Sequence, residues 1–87
     1  MRKVVLFGLD PELSDAIRDA RRRRGMTLDA VASRIPYTRE TVWRLEHGRV
    51  LTIDLALVAQ LAEILRAPEL ARIAVRQIQA NFPKGAA

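Results

Sequence analysis

Residues 38–48, TRETVWRLEHG, place Arg39, Glu40, Trp43, Arg44 and His47 within nine positions. The chemistry open to such a set is recognition. Arginine can grip guanine O6 and N7 with both arms of its fork, a carboxylate can accept from a cytosine amino group, and an indole can pack on a sugar or meet a thymine methyl. Bond-making chemistry lacks its ingredients. The chain has one histidine and no cysteine, its two serines, Ser14 and Ser33, have no evident base, and there is no glycine-rich phosphate loop. Paired carboxylates are likewise missing outside helix caps. An enzyme is therefore not expected, nor a metal site or cofactor, since a lone histidine has no partner ligands.

The balance of charge points the same way. Fifteen basic residues against ten acidic ones leave a formal charge of +5, and thirteen of the fifteen are arginine. That bias suits a polyanionic partner, because the guanidinium fork binds phosphates as well as guanine edges. Charge alone does not decide it; placement along the elements does.

The punctuation predicts five helices in 87 residues, one small domain. Asp10-Pro11 opens the first, which runs to Arg24 and stops at Gly25, with Leu13, Ile17 and Ala20 along one face. Thr27 caps a second, LDAVASR, that Pro36 breaks. Thr38 caps a third, RETVWRLEH, stopped by Gly48. A loop, RVLTI, leads to a fourth capped by Thr52 or Asp54. A fifth extends from Pro68 to about Asn81, with Leu70, Ile73, Ala74 and Ile78 inward and Arg72, Arg76 and Gln77 outward.

The expected organisation is an arm over residues 1–10, a helical domain over 11–82 and a flexible tail over 83–87. The one segment outside the helical plan, KVVLFGL, favours a strand. Its partner is open: a twin across a dimer, another protein, or the chain's own core under an extended arm. The apolar run at its start is too short for a signal peptide and meets Asp10-Pro11, and no stretch is long enough to cross a membrane. A cytoplasmic, nucleoid-associated protein is expected.

The second and third helices are short, tightly joined and each threonine-capped. Such a pair must lean on its neighbours to bury its apolar faces, which is the helix-turn-helix layout. IRDARRRRGMTLDAVASRIPYTRETVWRLEHGR resembles the lambda-repressor-like, Cro-type (xenobiotic-response-element-like) helix-turn-helix family in Arg21, Gly25, Met26-Thr27, Val31-Ala32, Thr38, Val42, Leu45, Glu46 and Gly48. It departs from that family at the turn, where Pro36 and Tyr37 replace a glycine and a small aliphatic. It departs again after the Thr27 cap, where Leu28 replaces a frequent glutamine. The resemblance implies an all-α, five-helix lambda-repressor-like bundle carrying a short N-terminal arm or strand. It also implies binding to double-stranded DNA, a salt bridge between Arg21 and Glu46, and a dimer built in the region of the last helix.

A helical wheel of the third helix turns Val42 and Leu45 inward and Glu40, Arg44 and His47 outward, with Trp43 on the shoulder and Arg39 at the leading end. Arg39, Glu40, Trp43 and Arg44 are the candidates for base contacts. Thr38, Tyr37, Arg22, Arg23, Arg49 and His47 are the candidates for phosphates. Structural roles compete at several of these: Arg44 can pair with Glu40 four residues back, Glu40 suits the positive end of the helix dipole, and His47, Arg22 and Arg23 suit a negative end. Val5, Phe7, Leu70, Ile73 and Ile78 are the candidates for a homodimer interface, which would set two third helices about 34 Å apart on a palindrome. The function expected is a transcriptional regulator, a repressor by preference. The rivals are an antitoxin-type autorepressor whose arm binds a partner protein, and an interaction module that no longer binds DNA.

Overall fold

The computed structural model describes residues 4–81. The expected tail at 83–87 and the first three residues of the arm lie outside them. Helix α1, Pro11–Arg23, begins where the Asp10 side chain accepts the Leu13 N–H at 3.1 Å. It ends where Gly25 takes φ +68°, the left-handed conformation that only glycine adopts without strain. Helix α2, Leu28–Ala32, is capped by Thr27 and is two residues shorter than its pattern suggests. The Ser33 hydroxyl donates to Ala30 O, and Arg34 and Ile35 bond three residues back, so the chain tightens into a turn before Pro36. Helix α3, Arg39–Glu46, starts at the Thr38 cap and stops at Gly48, φ +65°. Thr38 and Gly48 thus set both ends of the helix that carries the candidate contacts.

The N-terminal strand has its partner within the same chain. Strand β1, Leu6–Gly8, pairs antiparallel with β2, Thr52–Asp54, in the register Phe7 opposite Ile53. Bonds from Leu9 N–H to Leu51 O and from Leu55 N–H to Val5 O extend the ladder at both ends. The segment RVLTI, expected as a loop, therefore supplies the second strand. Its Val, Thr and Ile have the branched side chains that favour extended backbone, and a distant partner satisfies the strand's polar groups.

This pairing corrects the expected dimer interface. Phe7 is 7% exposed and packs in the core with Ile53, so it is not available to a second copy. Leu70 is fully buried and is equally unavailable. Both were expected at an interface because an apolar side chain on a terminal element looks unpartnered until the rest of the chain is in place. Val5 is exposed, and Ile73 and Ile78 are partly buried against the core.

Helix α4, Leu55–Ile64, follows β2 without a gap. Asp54, not Thr52, is its cap, accepting the Ala56 N–H at 3.1 Å. The turn after α4 places Arg66 at φ +51°, where glycine would be expected. Helix α5, Glu69–Asn81, packs across α4 and α1. Gln77, expected outward, is buried: its Nε2 donates to Asp10 Oδ1 at 2.5 Å and ties α5 to the start of α1.

Candidate nucleic-acid interface

The inward face of α3 is held by packing and by charge. Val42 and Leu45 sit in the core, and Glu46 is buried beside them. Arg21 on α1 donates through Nε to Glu46 Oε2 at 2.6 Å and through Nη2 to Oε1 at 3.0 Å, a two-pronged contact. Its Nη1 donates to the Met26 carbonyl at 2.9 Å, so one guanidinium joins α1, the turn before α2 and α3. The hydrogen bond to Glu46 pushes the Arg21 pKa up from its ordinary value, with burial opposing and the charge of Glu46 assisting. Every Arg21 prong serves the protein itself, which fixes the angle of α3 and leaves its other face free.

That outward face carries Arg39, Glu40, Trp43, Arg44 and His47, all exposed. Arg44 Nη2 donates to Glu40 at 2.9 Å, one turn back. Arg39 stands 3.8 Å from Asp29 on α2, a loose pair between two largely exposed side chains. Surface pairs of this kind contribute about 0.2–1 kcal/mol, so either arginine can exchange its partner for a nucleic acid at small cost. Thr38 Oγ1 accepts the Thr41 N–H at 3.3 Å and meets its hydroxyl at 3.1 Å. Tyr37, beside the cap, is 43% exposed.

Trp43 is 41% exposed and its ring stacks on that of His47, with centroids 4.0 Å apart and planes 14° from parallel. His47 Nδ1 lies 2.8 Å from the Trp43 carbonyl. A carbonyl can only accept, so Nδ1 carries the proton and Nε2 is left for another partner. Trp43 also lines a cleft with Leu28, Thr38, Arg39 and Glu40. Leu28, at the start of α2, stands where the resembling family often has glutamine. Its place in one cleft with Trp43 could not be found from either helix alone.

The candidate residues do not form one surface. Arg22 and Arg23 line a separate cleft with Ala16, Asp19 and Glu69, and no residue of α3 contributes to it. Arg23 Nη2 donates to Glu69 on α5 at 2.5 Å, which holds the Glu69 carboxyl below its ordinary pKa, assisted by a bond from that residue's own backbone. Arg23 is thereby engaged between α1 and α5. Arg49 is exposed just past Gly48, its N–H bonded to Arg44 O at 2.9 Å. A further basic cleft gathers Arg24, Arg34 and Arg66 with Gln60 and Glu63 at the carboxyl ends of α1, α2 and α4. Arg24 follows the last turn of α1, where a cation suits the negative end of the helix dipole, and nothing in the local pattern marks Arg34 or Arg66.

Two short, capped helices, the second braced from behind and presenting arginines and an aromatic outward, define a helix-turn-helix protein of the DNA-binding, regulatory class. A family model described as a helix-turn-helix domain matches residues 12–74, and the chain belongs to that family. The match agrees with the lambda-repressor-like resemblance, and the family is typically non-enzymatic. No curated protein and no solved structure matches the chain in comparison.

Proposed function

We propose that the protein is a sequence-specific transcriptional repressor that binds a palindromic operator as a homodimer, with α3 in the major groove. The observation that carries this reading is the division of α3 into two faces. One is locked to α1 through Arg21 and Glu46, and the other offers Arg39, Glu40, Trp43 and Arg44 together. Arg44, in the middle of that face, is the candidate for guanine, and Arg39, at the leading end, for a base or phosphate. Thr38, Tyr37, Arg49 and His47 flank them as phosphate contacts, and each phosphate neutralised steepens the loss of affinity with salt by about one unit of slope. An intracellular, nucleoid-associated location follows only from the function proposed.

The dimer would form through apolar residues left partly open, Val5, Ile73 and Ile78, with Val75 exposed beside them on α5. Engagement of β1 with β2 removes much of the motive for a partner-binding arm. The test is selection from a randomised duplex pool followed by sequencing of the retained DNA. A palindromic motif with half-site centres about ten base pairs apart is expected. Retention without a motif would leave a general DNA binder, and no retention at moderate salt would leave an interaction module.

A further inference from the structure

The cleft between α2 and α3 has a chemistry that the arginines do not explain. Leu28 on α2 and Thr38, Arg39, Glu40 and Trp43 at and along α3 line it together. Leu28 is half-buried, and the Trp43 ring stacks on that of His47.

We infer that this notch receives the 5-methyl group of a thymine, so that Leu28 and Trp43 form a specificity element beside the polar readers Arg39, Glu40 and Arg44. The inference rests on the DNA-binding reading above and deepens it. Three observations support it. The notch opens at the amino-terminal half of α3, the part of a recognition helix that approaches base edges. Leu28 and the face of the Trp43 ring give the notch an apolar lining beside Thr38, Arg39 and Glu40, and an apolar group covers such a lining without leaving a polar atom unpaired. The major-groove edge of a base pair presents one apolar group, the thymine methyl, and that group fits. Arg39 and Glu40, adjoining the notch in sequence and space, are placed to read the polar atoms of the same or the next pair.

The test uses the full chain and the duplex recovered from the randomised pool. Each thymine of the recovered site is replaced singly by uracil, which keeps the hydrogen-bonding edge and removes only the methyl, and affinity is read by fluorescence anisotropy. One thymine in each half-site should respond, binding about fourfold more weakly as uracil, the effect of one buried methyl group. In Leu28→Ala and in Trp43→Ala that difference should shrink toward none. Trp43 is on the surface, so the second variant preserves the test if the first fails to fold. A recovered site without thymine, thymines that all tolerate uracil, or a difference that persists in both variants would each overturn the inference while leaving DNA binding intact. Failure of the chain to retain any DNA would overturn the DNA-binding reading and this inference with it.

Discussion

Arg21 and Glu46, twenty-five residues apart, meet through two hydrogen bonds of 2.6 and 3.0 Å, and the carboxylate is almost wholly enclosed. The pair is the tether between α1 and α3. Glu46→Gln keeps the shape but leaves the partly buried guanidinium without its counter-charge. Breaking a buried pair on one side costs about 3 kcal/mol, which in a domain of this size lowers the thermal midpoint by more than about 10 °C. Thermal unfolding followed by circular dichroism measures it. A midpoint within a few degrees of the parent would show that the pair does not hold the helices together.

Glu69 supplies a pH dependence of known sign. Its pKa lies below the ordinary carboxylate value because Arg23 hydrogen-bonds the charged form. A group depressed in the folded state stabilises above its unfolded pKa and loses that contribution as the pH falls through the folded one. Between neutral pH and about pH 3 the parent should therefore lose more stability than Glu69→Gln, measured as the difference in urea midpoints. Equal losses would mean that the Arg23–Glu69 contact contributes nothing in solution.

Arg44→Ala should weaken binding to the selected operator by about 1–3 kcal/mol and relax preference at one base position. The variant also releases Glu40 from its partner one turn away, so Glu40→Ala serves as the control. Selection repeated with each variant separates the roles. A uniform loss across all sequences would make Arg44 a phosphate contact instead.

Arg66 occupies a left-handed position, φ +51°, at the end of α4. Side chains there meet strain of about 1 kcal/mol that glycine avoids. Arg66→Gly should raise the thermal midpoint by about 4–8 °C. If the midpoint falls, the guanidinium makes contacts in the Arg24–Arg34 cleft that outweigh the backbone strain.

Phe7→Ala tests whether β1 belongs to the core or to a dimer. Removal of a buried phenylalanine costs about 3–5 kcal/mol. The loss should appear as a lower unfolding midpoint even in a dilute sample, with no change in its dependence on protein concentration. A loss seen only through that dependence would return Phe7 to an intermolecular surface.

The local signals in this chain were legible one residue at a time. Asp10, Thr27 and Thr38 accept the N–H three residues on, and Gly25 and Gly48 take positive φ, because capping and left-handed stops depend on neighbours within a single turn. The inward set of Val42 and Leu45 follows from helical period alone, and with it the exposure of Trp43 on the shoulder. The Arg21–Glu46 pair came from the family resemblance, since nothing local joins residues so far apart.

What the sequence by itself determined is therefore the set of helices, the caps that open α1, α2 and α3, the glycine stops after α1 and α3, and the side of α3 that faces out, all matters of short-range geometry. Only the tertiary structure decided that RVLTI pairs with the N-terminal strand, that Phe7 and Leu70 are core residues, and that Arg23 and Gln77 turn toward Glu69 and Asp10. It alone placed Leu28 on α2 and Trp43 on α3 in the lining of one cleft. Each of these unites residues whose own neighbours carry no trace of the other. Strand pairing, burial and cleft formation are settled by which distant surfaces exclude water together, and that depends on the whole chain at once.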